Sequence, residues 1–354
     1  MVRAIVIPNY LHLGRETCGN LAIAERREWL VTNGIGGYAS GTVAGLLTRH
    51  YHGLLVAALE PPLGRTLMLV KLDETVRYRG QQFELGCNRW GDGTVAPTGY
   101  IHLEAFELEG TTPVWHYAMA DARLSKRVWM ERGQNTTYVR YSLSRGTAPV
   151  QLSLRAFLNY RDHHGGSVMG NWQVWQVEAG IEMVAFGGAV PLRLRGPGEW
   201  TANGDWHRHF DLQLERYRGT GCDENHFHGA TLEMTLEPGQ SLTLLASAEA
   251  ECDDDGEAAW QRRQSYEREL WGRAIATLGD EPPRQHLALA APQIKCDRPH
   301  NDGTPGSTII AGYPWFGDWG RDTAISLPGL TIATGRPEIA RSILRTFARY
   351  FDQG

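Results

Sequence analysis

Val150-Gln-Leu-Ser-Leu-Arg-Ala-Phe157 alternates apolar and polar residues with a period of two, the pattern of a strand with one face in a core. Thr231-Leu-Glu-Met-Thr-Leu-Glu237 repeats the pattern. Between and before them lie His52-Gly-Leu-Leu-Val-Ala-Ala58, Thr66-Leu-Met-Leu-Val-Lys-Leu72 and Thr137-Tyr-Val-Arg-Tyr-Ser-Leu143, separated by Gly, Pro, Asn and Asp. Trp172-Gln-Val-Trp-Gln-Val177 has strand composition without strict alternation. Many short strands between Glu28 and Ala250 predict a large β-sandwich with twisted sheets.

Beyond Cys252-Asp-Asp-Asp-Gly256, read as a solvated linker, the alternation stops. Glu257 to Leu278 is rich in Ala, Glu, Arg, Gln and Leu and predicts a helix. Further helices are expected over Arg284–Lys295, interrupted by Pro292, and over Thr323–Ala333, with Pro328 inside it. The clearest runs from Pro337 to Phe351: Ile339, Ile343, Phe347 and Phe351 recur at four-residue steps, and Leu344 and Tyr350 widen that face. The expectation is a β plus α multidomain chain: a sandwich over 1–252, a helical linker over 253–283, and a truncated helical domain over 284–354. The last part has room for about four helices of ~11–12 residues, too few for a large core, so a fragment of a longer protein is expected.

Composition bounds the function. At 354 residues the prior is two domains, and a net charge of −5 gives no basic footprint for nucleic acid and no polybasic membrane patch. No signal peptide opens the chain and no apolar run approaches the ~18 residues of a membrane span. The five cysteines are scattered without a CxxC and read as free thiols in a cytoplasmic protein.

The densest chemistry is Gly312-Tyr-Pro-Trp-Phe-Gly-Asp-Trp-Gly-Arg-Asp-Thr323. Its indoles can stack on the C–H face of a pyranose, and Asp and Arg can grip hydroxyls. A buried aromatic turn, with Asp322 capping the next helix, would use the same residues. Asp318 and Asp322 are four apart; on a helical turn their Cβ atoms would lie only about 5–6 Å apart. An inverting glycosidase needs carboxyls about 6.5–9.5 Å apart on opposite sides of the sugar. Asp322 therefore reads as a binder of hydroxyls, with Asp318 beside it, rather than as half of a catalytic pair.

Other motifs are weaker. The Gly-rich Asn33–Gly41 lacks a phosphate-loop ending and reads as tight turns with close backbone approach. His50 and His52 would share one face of a strand, but no third metal ligand is placed; His163 with His164, His207 with His209 and His226 with His228 read the same way. Asn159-Tyr-Arg-Asp-His-His-Gly165 is either a ligand-facing loop or a solvated one with Arg161 against Asp162. There is no GxSxG or HExxH.

Two stretches together resemble a family. Glu28-Trp-Leu-Val-Thr-Asn-Gly-Ile-Gly-Gly-Tyr-Ala-Ser-Gly-Thr42, running on to Thr48-Arg-His-Tyr-His-Gly-Leu-Leu-Val-Ala57, looks like the N-terminal domain of bacterial and archaeal glycogen debranching enzymes. Gly312 to Leu327 is similar to the opening of their glucosidase domain. The resemblance implies a supersandwich-like β-domain followed by an (α/α)6 toroid, acting on glycogen or branched α-glucan. It implies inverting hydrolysis of α-1,6 branch points with no metal or organic cofactor.

The Trp-Gly-Arg-Asp element also resembles the Trp-Thr-Arg-Asp of glucoamylases, implying that Arg321 and Asp322 hold the terminal glucose, with Trp315 and Trp319 as aromatic wall. The general acid and base are expected in inter-helix loops beyond residue 354. His52 and Arg161 are the candidates for sandwich residues reaching the site. Arg49-His50 and Pro328 depart from the family's habits. The alternatives are a glucoamylase- or trehalase-like exo-glycosidase, or a non-catalytic carbohydrate-binding sandwich.

Overall fold

A computed structural model describes residues 7, 9, 11–279, 281–300 and 302–350. Two large antiparallel sheets face each other. The nine-stranded sheet runs through His12–Leu13, Leu103–Glu109, Thr112–Met119, Ala122–Met130, Thr136–Arg145, Ser241–Ser247, Leu192–Arg195, Gly180–Val184 and Gln173–Val177. The eight-stranded sheet runs through Glu199–Asp211, Asp223–Leu236, Val150–Asp162, Leu63–Tyr78, Gly53–Glu60, Tyr38–Thr42 and Glu28–Thr32, with Gln81–Glu84 on its long fourth strand. The β-sandwich is as expected.

The alternating stretches sit in register. Leu152 opposes Met234 on one side and Val76 on the other, and all three enter the core between the sheets. Gln151 and Thr235 face out. After Ala156 the registers shift and both faces become buried. The cause is a second apolar layer: Phe157, Tyr38, Leu67, Val70 and Phe210 cover the sheet's outer face and meet Ile310 and Tyr313 from the C-terminal part. The Gly-rich run supplies the close approach anticipated for it. Gly36 has φ +103°, and a Cβ there would lie 2.3 Å from the Pro62 carbonyl oxygen.

The acidic run at 253–255 is exposed, but it is not a plain linker. Asp255 caps the helix Gly256–Leu278 by accepting from Glu257 and Ala258 N–H, both at 3.0 Å, and Asp253 pairs with Arg262 at 2.8 Å. That helix lies on the outer face of the nine-stranded sheet, where Trp260 meets Trp129, which stacks on Tyr138. Buried Arg263 and Glu267 pair at 2.9 Å, and Thr111 donates its hydroxyl to Glu267 at 2.5 Å.

The next helix, Pro282–Ile294, runs through Pro292 instead of breaking there, because a proline in the last turn forfeits little of the ladder. A hairpin of Lys295–Asp297 and Ser307–Ile309 follows; Thr32 Oγ1 donates to Gln293 O of the helix end at 2.8 Å, and Asp297 N of the hairpin donates to Gly34 O at 2.7 Å, tying both to the sandwich edge. The helix expected from Thr323 begins earlier: Gly320–Leu327 is α-helical and Pro328–Ile332 continues it as a π-turn. In Pro337–Ala348, Ile343 is fully buried against Ile309 and Leu327, with Ile339 and Phe347 packed beside it. Leu344 and Tyr350 stay exposed, contrary to the wider face expected, and Phe351 lies outside the described residues. Among the described residues no helix is long and apolar enough to cross a membrane.

Candidate carbohydrate site

The Gly312–Thr323 stretch has little regular backbone pairing, so its carbonyls need other partners. Arg65, buried on the strand Leu63–Tyr78, supplies them. Its Nη1 donates to Pro314 O at 3.2 Å and Phe316 O at 3.0 Å, and its Nε donates to Gly36 O at 3.0 Å. The guanidinium also lies 4.7 Å from the centre of the Tyr313 ring, which meets Tyr38 edge-on at 5.5 Å. One buried cation therefore fixes the loop on the sheet.

What the loop presents outward is a wall. Trp315 is half-buried under the Arg49 guanidinium, 5.2 Å away, with Tyr51 edge-on at 6.2 Å. Its indole Nε1 is buried without a hydrogen-bond partner among the described residues. Phe316 and Trp319 are half-exposed and 6.1 Å apart. Arg321 and Asp322 project beside them with 78% and 46% of their side chains exposed, and approach each other no closer than 4.0 Å.

Asp322 does not cap the helix. Trp319 occupies the cap position with no side-chain bond, and Asp322 sits in the first turn, where the helix dipole favours a negative charge. Its carboxylate stays open to solvent.

Asp318 is placed differently from the sequence expectation. Its side chain is buried, ion-paired with Arg298, and accepts from Thr308 Oγ1 at 3.0 Å. It anchors the hairpin to the loop.

His52 and Arg161 are also corrected. The strand begins at Gly53, so residues 49–52 form a turn and the two histidines share no strand face. Buried His52 accepts from Thr48 N–H at Nδ1 and faces Glu28 with Nε2 at 3.3 Å. Burial would raise the Glu28 carboxyl, but His52 and Arg49 outweigh it and hold it at about 2. Arg161 is neither solvated nor ligand-facing: it is buried, pairs with Glu224 at 2.7 Å and donates to His50 O at 2.7 Å. Glu224 faces His50 Nδ1 at 3.2 Å, while His50 Nε2 donates to Gly221 O. Burial alone would raise Glu224; His50 and Arg161 keep it below the usual range, and Glu224 in turn overcomes burial to raise His50. This knot holds the turn whose tip lays Arg49 and Tyr51 on Trp315.

A sequence profile described as "Glycogen debranching enzyme N terminal" matches residues 27–243. The chain belongs to the glycogen debranching enzyme family. A second profile, "Amylo-alpha-1,6-glucosidase", matches residues 291–354 of this debranching-family chain, the part that carries the wall. No curated protein matches by sequence. Among solved structures, a bacterial glucoamylase complexed with acarbose is similar over 98% of this chain and 50% of its own, at 10% identity and a TM-score of 0.45. A second, "Putative kojibiose phosphorylase from human microbiome", is similar over 75% of this chain and 33% of its own, at 7% identity and a TM-score of 0.32. The chain thus spans about half the length of the first and a third of the second, and likenesses so distant carry no argument.

In the debranching-family chain, sequence reasoning missed Arg49, Tyr51 and Arg65, which hold the wall, and Glu224, which completes the knot. Thr48-Arg-His-Tyr-His-Gly53 holds the first two, but no spacing in it marks a guanidinium and a phenol bound for Trp315.

Proposed function

We propose that the intact protein hydrolyses α-1,6-glucosidic branch points of glycogen or a related α-glucan with inversion, and that these 354 residues supply one wall of its glucose site. The single observation that carries the reading is the open group of Trp319, Arg321 and Asp322 at the start of Gly320–Leu327: an indole, a guanidinium and a carboxylate with no strong partners among the described residues. Such a group can stack on a pyranose face and grip neighbouring hydroxyls. Trp315 Nε1 adds a buried donor without an acceptor among the described residues.

In this reading Arg321 and Asp322 hold the terminal glucose while a carboxylic acid protonates the glycosidic oxygen and a carboxylate activates water on the far side of the ring. Neither of those two roles falls to a residue of this chain. The helices from Pro282 onward are read as the opening helices of an (α/α)6 toroid. The amylo-glucosidase match supports this, as do Leu287, Ile325, Ile332 and Leu344, apolar side chains left exposed on those segments.

The test is product analysis with the intact protein and a singly branched limit dextrin. Free glucose as the first product, released as the β-anomer, supports the reading; no glucose, or maltooligosaccharide instead, defeats it. Glucan binding with no hydrolysis by the intact protein would favour the non-catalytic module.

A further inference from the structure

At the free edge of the eight-stranded sheet, the strands Glu199–Asp211 and Asp223–Leu236 gather three side chains that the carbohydrate site does not use. Asp205 and His207 are two apart on the edge strand and project from one face, and the register sets His228 directly opposite Asp205. One oxygen, Asp205 Oδ2, lies 3.0 Å from His207 Nε2 and 3.3 Å from His228 Nδ1. All three potential ligand atoms lie within 4.8 Å of one another.

Neighbouring hydrogen bonds fix the tautomer of His228. The Thr231 hydroxyl donates its one proton to Asn203 Oδ1 at 2.8 Å, so its oxygen accepts from His228 Nε2–H at 3.0 Å. With that proton on Nε2, the Nδ1 of a neutral imidazole presents a lone pair to a carboxylate oxygen. Two acceptors at this distance call for a cation. A hydrogen bond at Nδ1 would need the proton that Nε2 already gives to Thr231.

A metal ion fits better. Zinc held at about 2.0–2.2 Å by nitrogen and oxygen ligands in a tetrahedron separates those ligands by roughly 3.3–3.5 Å, close to the two spacings seen. The surroundings are built as metal shells are. Thr231 orients the outer nitrogen of His228, and the Phe157 ring packs 4.9 Å from His207 and 5.7 Å from His228. Asp205 is largely exposed, which leaves one side for water.

We propose that Asp205, His207 and His228 form a tetrahedral divalent-metal site of the zinc type, with water as fourth ligand. Two imidazoles and one carboxylate suit zinc better than magnesium or calcium, which prefer all-oxygen shells. The role is structural. The strand pairing shifts register on both sides, between Ala202 and Asp205 and between His207 and Phe210, so the metal would clip the edge strand where its ladder is interrupted.

The experiment treats the 354-residue protein with chelator, dialyses it, and titrates it with zinc chloride by calorimetry and with cobalt chloride by visible absorption. One zinc per chain, the intense spectrum of tetrahedral cobalt, and a rise in melting temperature with zinc are expected. His207→Gln and Asp205→Asn, neither side chain deeply buried, should weaken zinc by at least about tenfold and remove the thermal shift. His209→Gln, on the same strand and facing Asp223, should change nothing. Unchanged zinc binding in the first two variants, an equal loss in the third, a weak octahedral cobalt spectrum, or no binding heat in the unaltered protein would each overturn the proposal.

Discussion

The turn at 49–53 and the loop at 312–323 touch each other, yet they are built on opposite plans. The turn is held by buried charge: Arg161 and His50 each pair with Glu224 as ions rather than through aligned hydrogen bonds, and none of the three reaches solvent with more than a small part of its side chain. The loop carries the same kinds of groups, Arg321 and Asp322, but leaves them open and loosely spaced. A charge group closed on itself fixes geometry, whereas an open one has hydrogen-bonding capacity left for a ligand. The lesson is that residue type does not distinguish scaffold from site; burial against an opposite charge does.

Substitutions can break this contrast. Glu224→Ala should be the most damaging, because it strands a buried guanidinium: about 3–5 kcal/mol of stability, read from urea unfolding. Glu224→Gln, which keeps an acceptor, should recover part of it. Arg65→Met should cost about 2–3 kcal/mol by leaving three carbonyls poorly satisfied, and should also quench or shift Trp315 fluorescence as the loop loosens. A stability loss under about 0.5 kcal/mol in either would mean that the buried charges are not structural.

Acidification probes the same region. Burial depresses the buried His226 from 6.5 to about 4, so the unfolded chain takes up this proton first. This shift costs nothing above about pH 6.5 and destabilises the fold increasingly as pH falls towards 4; between pH 7 and 5 stability drops by about 2 kcal/mol. His163 acts with the same sign, since burial and its cationic neighbours also lower it to about 4. His50, raised by Glu224, acts with the opposite sign and offsets part of the loss. Unfolding midpoints at pH 7 and 5 should therefore converge in His226→Phe; an undiminished gap would place the acid sensitivity elsewhere.

The smallest stability effect belongs to the wall. Asp322→Asn should move stability by less than about 0.5 kcal/mol while lowering glucose release by the intact protein about a hundredfold, the worth of a charged hydrogen bond to substrate. A large fall in melting temperature with activity kept would reverse its role.

The strands were legible because burial on one face writes a period of two into the sequence, as at Val150–Phe157. The wall was legible because Trp-Gly-Arg-Asp compresses its chemistry into adjacent residues. The knot was not: Arg161 and Glu224 lie on separate strands, and a salt bridge across a sheet leaves no periodic trace. His52 was misjudged for a related reason. Treating 50–52 as strand gave its histidines a common face, while the turn that exists there carries Arg49 and Tyr51 to the loop instead. Asp318 misled because its partner, Arg298, sits in the preceding hairpin and nothing near Asp318 in the sequence announces it.

Arg65 also bears on the order of events during synthesis. The carbonyl it grips at Pro314 belongs to a residue 249 positions later. At about 5–20 residues per second, the ribosome delivers that partner roughly a quarter of a minute to nearly a minute after the arginine itself. Until then Arg65, already bonded through Nε to Gly36 O, lacks its two loop carbonyls, and the apolar patch of Tyr38, Phe157 and Phe210 stays bare once its strands have formed. The arrival of the 312–323 loop closes both, so a segment translated much later also serves as the seal on the sandwich.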